Sequence, residues 1–166
     1  ASAVAFCQQQ AKALRIDTTR LAVLGHSMGG WVGLQALAQL PTLKKAVIIS
    51  AWDVYANATA VDADKAKQVE FETYVGGLFM LHNTSGKALL APVLAQASAY
   101  RLTALGPVLS TRQLVFLDEN RRNEAWITPI GAANKASFRY EVWATDHPFS
   151  NKRMALTKTV LDFLGK

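Results

Sequence analysis

The chain holds one cysteine, Cys7, which excludes an internal disulfide and says little about compartment. The bland reading of that thiol is a small buried hydrophobe. No apolar run approaches the roughly 18 residues that a membrane span needs. The opening ASAVAFCQQQ has no basic region ahead of an apolar core, so it does not read as a signal peptide. Charge is sparse as well, at 18% of residues against 51% hydrophobic, which is the balance of a globular chain and not of a disordered one. The sequence has no cluster with metal-ligand spacing, no glycine-rich phosphate loop and no dinucleotide fingerprint, so no cofactor and no metal is implied. The formal charge is +6, yet the basic residues form local pairs, Lys44-Lys45 and Arg121-Arg122, instead of a stripe. A solvated basic surface is the expectation, not a nucleic-acid partner. Internal repeats and low-complexity tracts are missing too.

What is present is organised around Leu21 to Leu40, LAVLGHSMGGWVGLQALAQL. Leu21-Ala22-Val23-Leu24 suits a strand buried on both faces. Gly25-His26-Ser27-Met28-Gly29 fits G-x-S-x-G, the nucleophile-elbow pattern. Gly30 to Leu40 is apolar almost all round, as a buried helix would be, and Pro41 ends it. A strand that reverses into a helix within a few residues strains and crowds the turn, so glycines at 25 and 29 are expected to relieve clashes. By chance the five-residue pattern arises in roughly one chain in twenty of this length. The strand before it and the helix after it therefore carry the weight.

At 166 residues the chain is expected to form one domain with a real core. Val4, Cys7, Ala11 and Leu14 predict an amphipathic helix over about 2–14. Ala46 to Ile49 and Leu114 to Leu117 are further buried strands, and strand–helix–strand spacing makes the sheet parallel. Residues 52–110 contain no convincing strand. Phe71, Tyr74, Val75 and Leu78 share a helical face there, so an inserted helical cap is expected. Its aromatic and sulfur-bearing residues (Trp52, Tyr55, Phe71, Phe79, Met80) either line an acyl pocket or form the insertion's own core. Thr128 and Pro129 predict the start of a helix running to about Ala136. Tyr140 to Trp143 predicts a fourth strand. Ser150 is a candidate cap for a last helix facing inward with Met154, Val160, Leu161 and Leu164.

Gly25-His26-Ser27-Met28-Gly29-Gly30 resembles the elbow of the α/β-hydrolases, in particular their esterase and prolyl-oligopeptidase-like branches. The resemblance extends over the whole chain and implies a mainly parallel sheet of about four strands flanked by helices, with the cap inserted. It implies a triad in the order serine, acid, histidine. Ser27 would be the nucleophile. His147, in the loop Asp146-His147-Pro148-Phe149-Ser150 after the fourth strand, would be the general base, and the Met28 N–H an oxyanion donor. Asp118, the first carboxylate past the third strand, is the expected acid, with Glu119 second. Family members often place the acid slightly later, a register that reaches Glu119 and Asn120 here. Asp53 is a rarer alternative, and Asp146 adjoins His147, which points the two side chains apart. His26 reads as filler beside the nucleophile or, with Trp52 and Phe149, as a wall of a substrate pocket. His82 has no context. The substrate class implied is a small carboxylic ester or related acyl compound.

In the complete family fold several strands precede the elbow strand, and a loop among them donates the second oxyanion N–H. The chain is thus expected to be the C-terminal half of such a fold, short of one donor. The Leu21–Leu24 strand would be an edge that a second copy or an N-terminal segment covers.

Overall fold

A computed structural model describes residues 2–165, those at 97 and 98 by backbone alone. In chain order the elements are α1 (Ser2–Gln9), α2 (Ala11–Leu14), β1 (Ala22–His26), α3 (Met28–Gln39), β2 (Lys45–Ile49), α4 (Val54–Asp62), α5 (Lys65–Gly76) and α6 (Gly86–Ala95). They are followed by α7 (Ala97–Tyr100), α8 (Gly106–Leu109), β3 (Gln113–Asp118), α9 (Glu124–Ala133), β4 (Ser137–Val142) and α10 (Arg153–Leu164). Two compact units emerge, one made of the chain up to Trp52 and from Leu105 onward, the other of Asp53–Ala104. Among the described residues no helix is long and apolar enough to cross a membrane.

The first unit holds a four-stranded sheet in the order β1-β2-β3-β4, parallel throughout. In register, His26 lies opposite Ile49, and Ile49 opposite Leu117. The β2 and β3 runs are buried almost end to end, whereas β1 and β4 are half exposed, as befits inner and outer strands. On one face Val47, Ile49, Val115, Leu117 and Phe149 form a core closed by Trp143, Leu156, Val160 and Phe163. On the other, α3 lies so close that a Cβ on Gly33 would sit 2.7 Å from Val23, and one on Gly30 3.1 Å from the Ala51 backbone. Phe116 meets Trp126 edge-on and Phe138 at a tilt. Truncating any of these large core side chains would cost about 2–5 kcal/mol.

Several boundaries differ from those read in the sequence. The first helix breaks at Gln10 into α1 and α2. β4 starts at Ser137, because Phe138 and Tyr140 alternate with Ser137, Arg139 and Glu141; a search for continuous apolar runs passes over that period of two. Pro129 lies inside α9, whose first residue is Glu124. Ser150 does not cap the last helix: α10 starts at Arg153 without a side-chain cap, and Ser150 lies in the turn before it, its N–H donating to Asp146 at 2.6 Å. On α10 itself Met154 and Leu161 are exposed, and Leu156, Val160 and Phe163 face inward.

The second unit is helical throughout its described elements. Asp53 caps α4 by accepting the Ala56 N–H, Asp64 caps α5, and Ser85 caps α6. Glu72 on α5 receives the Gly86 and Lys87 N–H groups at 2.6 and 2.7 Å, tying α5 to the start of α6. A cleft of about 600 Å³ runs between these helices, lined among others by Val61, Lys65, Phe71, Glu72 and Leu90.

Candidate active site

Ser27 stands between β1 and α3 with φ 56 and ψ −123, a combination that residues other than glycine seldom adopt. The bend is enforced on both sides. Its N–H continues the ladder to the Ile49 carbonyl at 2.9 Å, and its carbonyl accepts from Gly30, Trp31 and Trp52. Of the two motif glycines, Gly25 is the one sterics demand: a Cβ there would lie 2.4 Å from the Gly29 carbonyl oxygen. Gly29 has no neighbour within 4 Å of that position, so the clash relief expected of it falls to Gly25, with Gly30 and Gly33 letting α3 approach the sheet. The Ser27 side chain makes no capping bond to α3. Among the described residues the Met28 N–H, at the first turn of α3, donates to no group. A donor so placed at a helix's positive end suits an anion.

His147 reaches this region through His26. The two rings lie 4.6 Å apart between centroids, and His26 Nε2 is 2.9 Å from the His147 carbonyl oxygen. His26 is therefore a brace for the histidine loop, not filler that points elsewhere.

The carboxylate at His147 is that of Glu119. Its Oε1 lies 3.1 Å from His147 Nδ1 and 2.8 Å from Arg122 Nη2, while Oε2 accepts from the Ser50 hydroxyl. Burial pushes the Glu119 carboxyl up, but the bonds from Ser50, its own backbone, His147 and Arg122 outweigh it and hold it below its ordinary value. Asp118, the acid expected from the sequence, is turned the other way. It is 2% exposed, accepts from Asn123 Nδ2 at 3.1 Å and from the Tyr140 hydroxyl at 3.3 Å, and does not meet His147. Burial raises its carboxyl above the ordinary value, against the lowering effect of Asn123 and Tyr140. Asp118 is the last residue of β3 and Glu119 the first beyond it, where the chain leaves the strand, and the two side chains go to different partners.

Other residues singled out from the sequence have different places. Phe149 is 1% exposed and belongs to the sheet core, so it forms no pocket wall. Trp52 is half-buried and held beside the elbow by its N–H bond to Ser27. Asp53 is occupied as a helix cap. His82 is exposed. Of the aromatic set of the helical unit, Phe79 is 84% exposed, Tyr55 accepts from Arg101, and Phe71 lines the cleft. None of Ser27, Glu119 and His147 lines that cleft. Ser50 and Arg122 complete the surroundings of Glu119. The only hint of Ser50 in the sequence is its place directly after an apolar strand run, as Ser27 follows another. Among the described residues no group of three His, Cys, Asp or Glu comes together that could hold a metal ion.

A family model described as PET hydrolase-like (PETase) matches residues 2–66. Cutinase 1 of Thermobifida cellulosilytica is 47% identical over 47 residues, which is 28% of this chain and 18% of that one. Cutinase est1 of Thermobifida alba is 53% identical over 38 residues, 23% of this chain and 13% of that one. The chain thus spans a small part of the curated relatives' length. Among solved structures, the acylaminoacyl peptidase of Pyrococcus horikoshii superposes with TM-score 0.64 at 14% identity, covering 98% of this chain and 26% of that chain. Acetyl xylan esterase 1 from Thermoanaerobacterium sp. JW/SL YS485 gives 0.53 at 17% identity, covering 96% and 49%. Its parallel sheet, flanking helices and strained serine between strand and helix give the chain an α/β-hydrolase fold, the likeness that these solved structures share with it.

Proposed function

We propose that the chain carries the catalytic residues of a serine hydrolase acting on carboxylic esters, with Ser27 as nucleophile, His147 as general base and Glu119 as acid. Ser27 Oγ attacks the ester carbonyl carbon as His147 Nε2 takes its proton. The oxygen that gains charge in the tetrahedral intermediate is met by the Met28 N–H. Collapse breaks the bond to the alcohol, which leaves with the proton from His147, and an acyl-enzyme remains on Ser27. Water then attacks that ester, giving up its proton to His147, and as the bond to Ser27 Oγ breaks the imidazolium returns that proton to the serine and the acid is released. Glu119 holds Nδ1–H and offsets the charge of the imidazolium. The observation that carries this reading is the backbone of Ser27, held at φ 56 and ψ −123 at the head of α3; strain of this kind persists where the surrounding structure has a use for it. The short matches to cutinases support an ester substrate. The helical unit Asp53–Ala104 is read as the cap insertion of such an enzyme. The test is covalent labelling by a fluorophosphonate probe, with hydrolysis of a panel of chromogenic esters of differing acyl length. Both activities should vanish in Ser27→Ala; a folded sample that takes no label overturns the reading.

A second reading, an interaction module working through self-association, draws on the edge. Among the described residues β1 pairs with β2 on one side only, and Leu24 on it is 57% exposed, an unprotected strand of the kind that recruits another. Concentration-dependent dimers in sedimentation that Leu24→Lys abolishes, in a sample without labelling, would favour it.

A further inference from the structure

Ser50 is a second serine at the carboxyl end of the sheet, and the reaction proposed above does not use its hydroxyl. It is 0% exposed, and its backbone stands at φ 45, outside the range most side chains occupy. Its N–H donates to the Leu117 carbonyl at 2.7 Å, which fixes it to β3 close to Glu119. Its hydroxyl donates to Glu119 Oε2. That leaves Oε1 facing two nitrogens, His147 Nδ1 at 3.1 Å and Arg122 Nη2 at 2.8 Å, which are themselves 3.2 Å apart.

This triangle has two proton arrangements. The guanidinium is always a donor. His147 Nδ1 either carries a proton and donates it to Glu119, or is bare and accepts from Arg122. Only the first leaves Nε2 bare, as a base for Ser27 must be. A glutamate free at both oxygens would be drawn into a two-pronged pair with the arginine fork and would desert the ring. We propose that Ser50 is a positioning residue for this site: by holding Oε2 it keeps Oε1 on Nδ1 as well as on Arg122 and so selects the Nδ1–H form of His147. This rests on the reading of His147 as general base. The low exposure of the Glu119 side chain, 9% against 46% for Arg122, supports it, because the carboxylate is held on the inner, Ser50 side of the triangle.

The chain has three histidines, so nitrogen-15 shifts can report each ring's tautomer, with His147→Gln identifying the relevant signals. Ser50→Gly removes the hydroxyl yet suits the positive φ, so it should fold; Ser50→Ala is the companion. In the parent, at a pH where the rings are neutral, His147 should be mainly Nδ1–H. In both Ser50 variants it should revert toward Nε2–H, as in Glu119→Gln, and fluorophosphonate labelling should slow by about 10–100-fold. If the Ser50 variants keep Nδ1–H while Glu119→Gln loses it, Ser50 is a packing residue and this proposal falls alone. A merely lowered melting temperature with the tautomer unmoved has the same meaning. If Glu119→Gln also leaves the tautomer unchanged, or the parent is already Nε2–H, the pairing of Glu119 with His147 is wrong, and the triad falls together with the role given to Ser50.

Discussion

Ser27 and Ser50 occupy equivalent stations one strand apart. Each follows the last residue of a parallel strand, each extends the ladder into its neighbour (Ser27 to Ile49, Ser50 to Leu117), and each has positive φ, 56 and 45. Their surroundings separate them. After Ser27 a helix begins at once and the side chain is left without a capping bond. After Ser50 the chain runs on through buried Ala51, and the hydroxyl is enclosed against Glu119. One backbone arrangement thus occurs twice, once with a side chain that makes no capping bond and once with a hydroxyl bonded to a carboxylate. A strand end in a parallel sheet is a fixed platform, and what leaves it decides the role.

The comparison is broken most directly at Ser27 itself. Ser27→Ala should lower ester turnover by about 10⁴–10⁶-fold and abolish labelling, with little change in melting temperature. Label that persists and maps to Ser50 would reverse the two roles. Next comes the carboxylate each serine would depend on. Glu119→Gln should reduce turnover by about 10³–10⁴-fold, as loss of the tautomer-setting charge does in other triads, whereas Asp118→Asn should cost less than about tenfold. A larger loss for Asp118→Asn than for Glu119→Gln would restore Asp118 as the acid.

Smaller effects concern stability. Gly25→Ala should cost about 3 kcal/mol in chemical denaturation, because its Cβ would strike backbone. Gly29→Ala, with open space around it, should change stability by less than about 1 kcal/mol. Equal costs would mean that the bend around Ser27 is not built as described.

The smallest and sharpest contrast is pH dependence. The Glu119 carboxyl titrates below its ordinary 4.5, so its ionised bonds stabilise the fold above that value, and the contribution is lost as pH falls through the lowered one. Glu119→Gln should therefore melt a few degrees, about 2–4 °C, below the parent at neutral pH, the gap narrowing in acid. Asp118 is raised above its ordinary 3.8. Its contribution is present below that value and lost as pH rises through the raised one. Asp118→Asn should thus match or exceed the parent's melting temperature at neutral pH, the two converging in acid. Melting curves from about pH 3 to about pH 8 read both signs at once.

Much of the fold was legible in local pattern. The runs at Ala46–Ile49 and Leu114–Leu117 named the two inner strands, since strands covered on both faces must be apolar throughout. The elbow was legible because a strand, a glycine-flanked serine and an apolar helix can be joined in few ways. The start of β4 is less legible, since its outer position lets polar residues alternate with Phe138 and Tyr140. Pro129 misled the reading of α9, because proline marks a helix start more often than an interior.

The site divides along the same line. From the order of residues alone come the serine between strand and helix, its strained bend, the histidine in the loop after the last strand, and a parallel sheet to carry them, because each depends on contacts within a short stretch or on hydrophobic period. Which carboxylate meets the imidazole, and which serine holds that carboxylate, were decided only by the folded chain. Asp118 and Glu119 are neighbours in sequence yet, at the last residue of β3 and the first beyond it, meet different partners, and residues 50, 119, 122 and 147 become neighbours only when parallel strands bring their carboxyl ends to one edge.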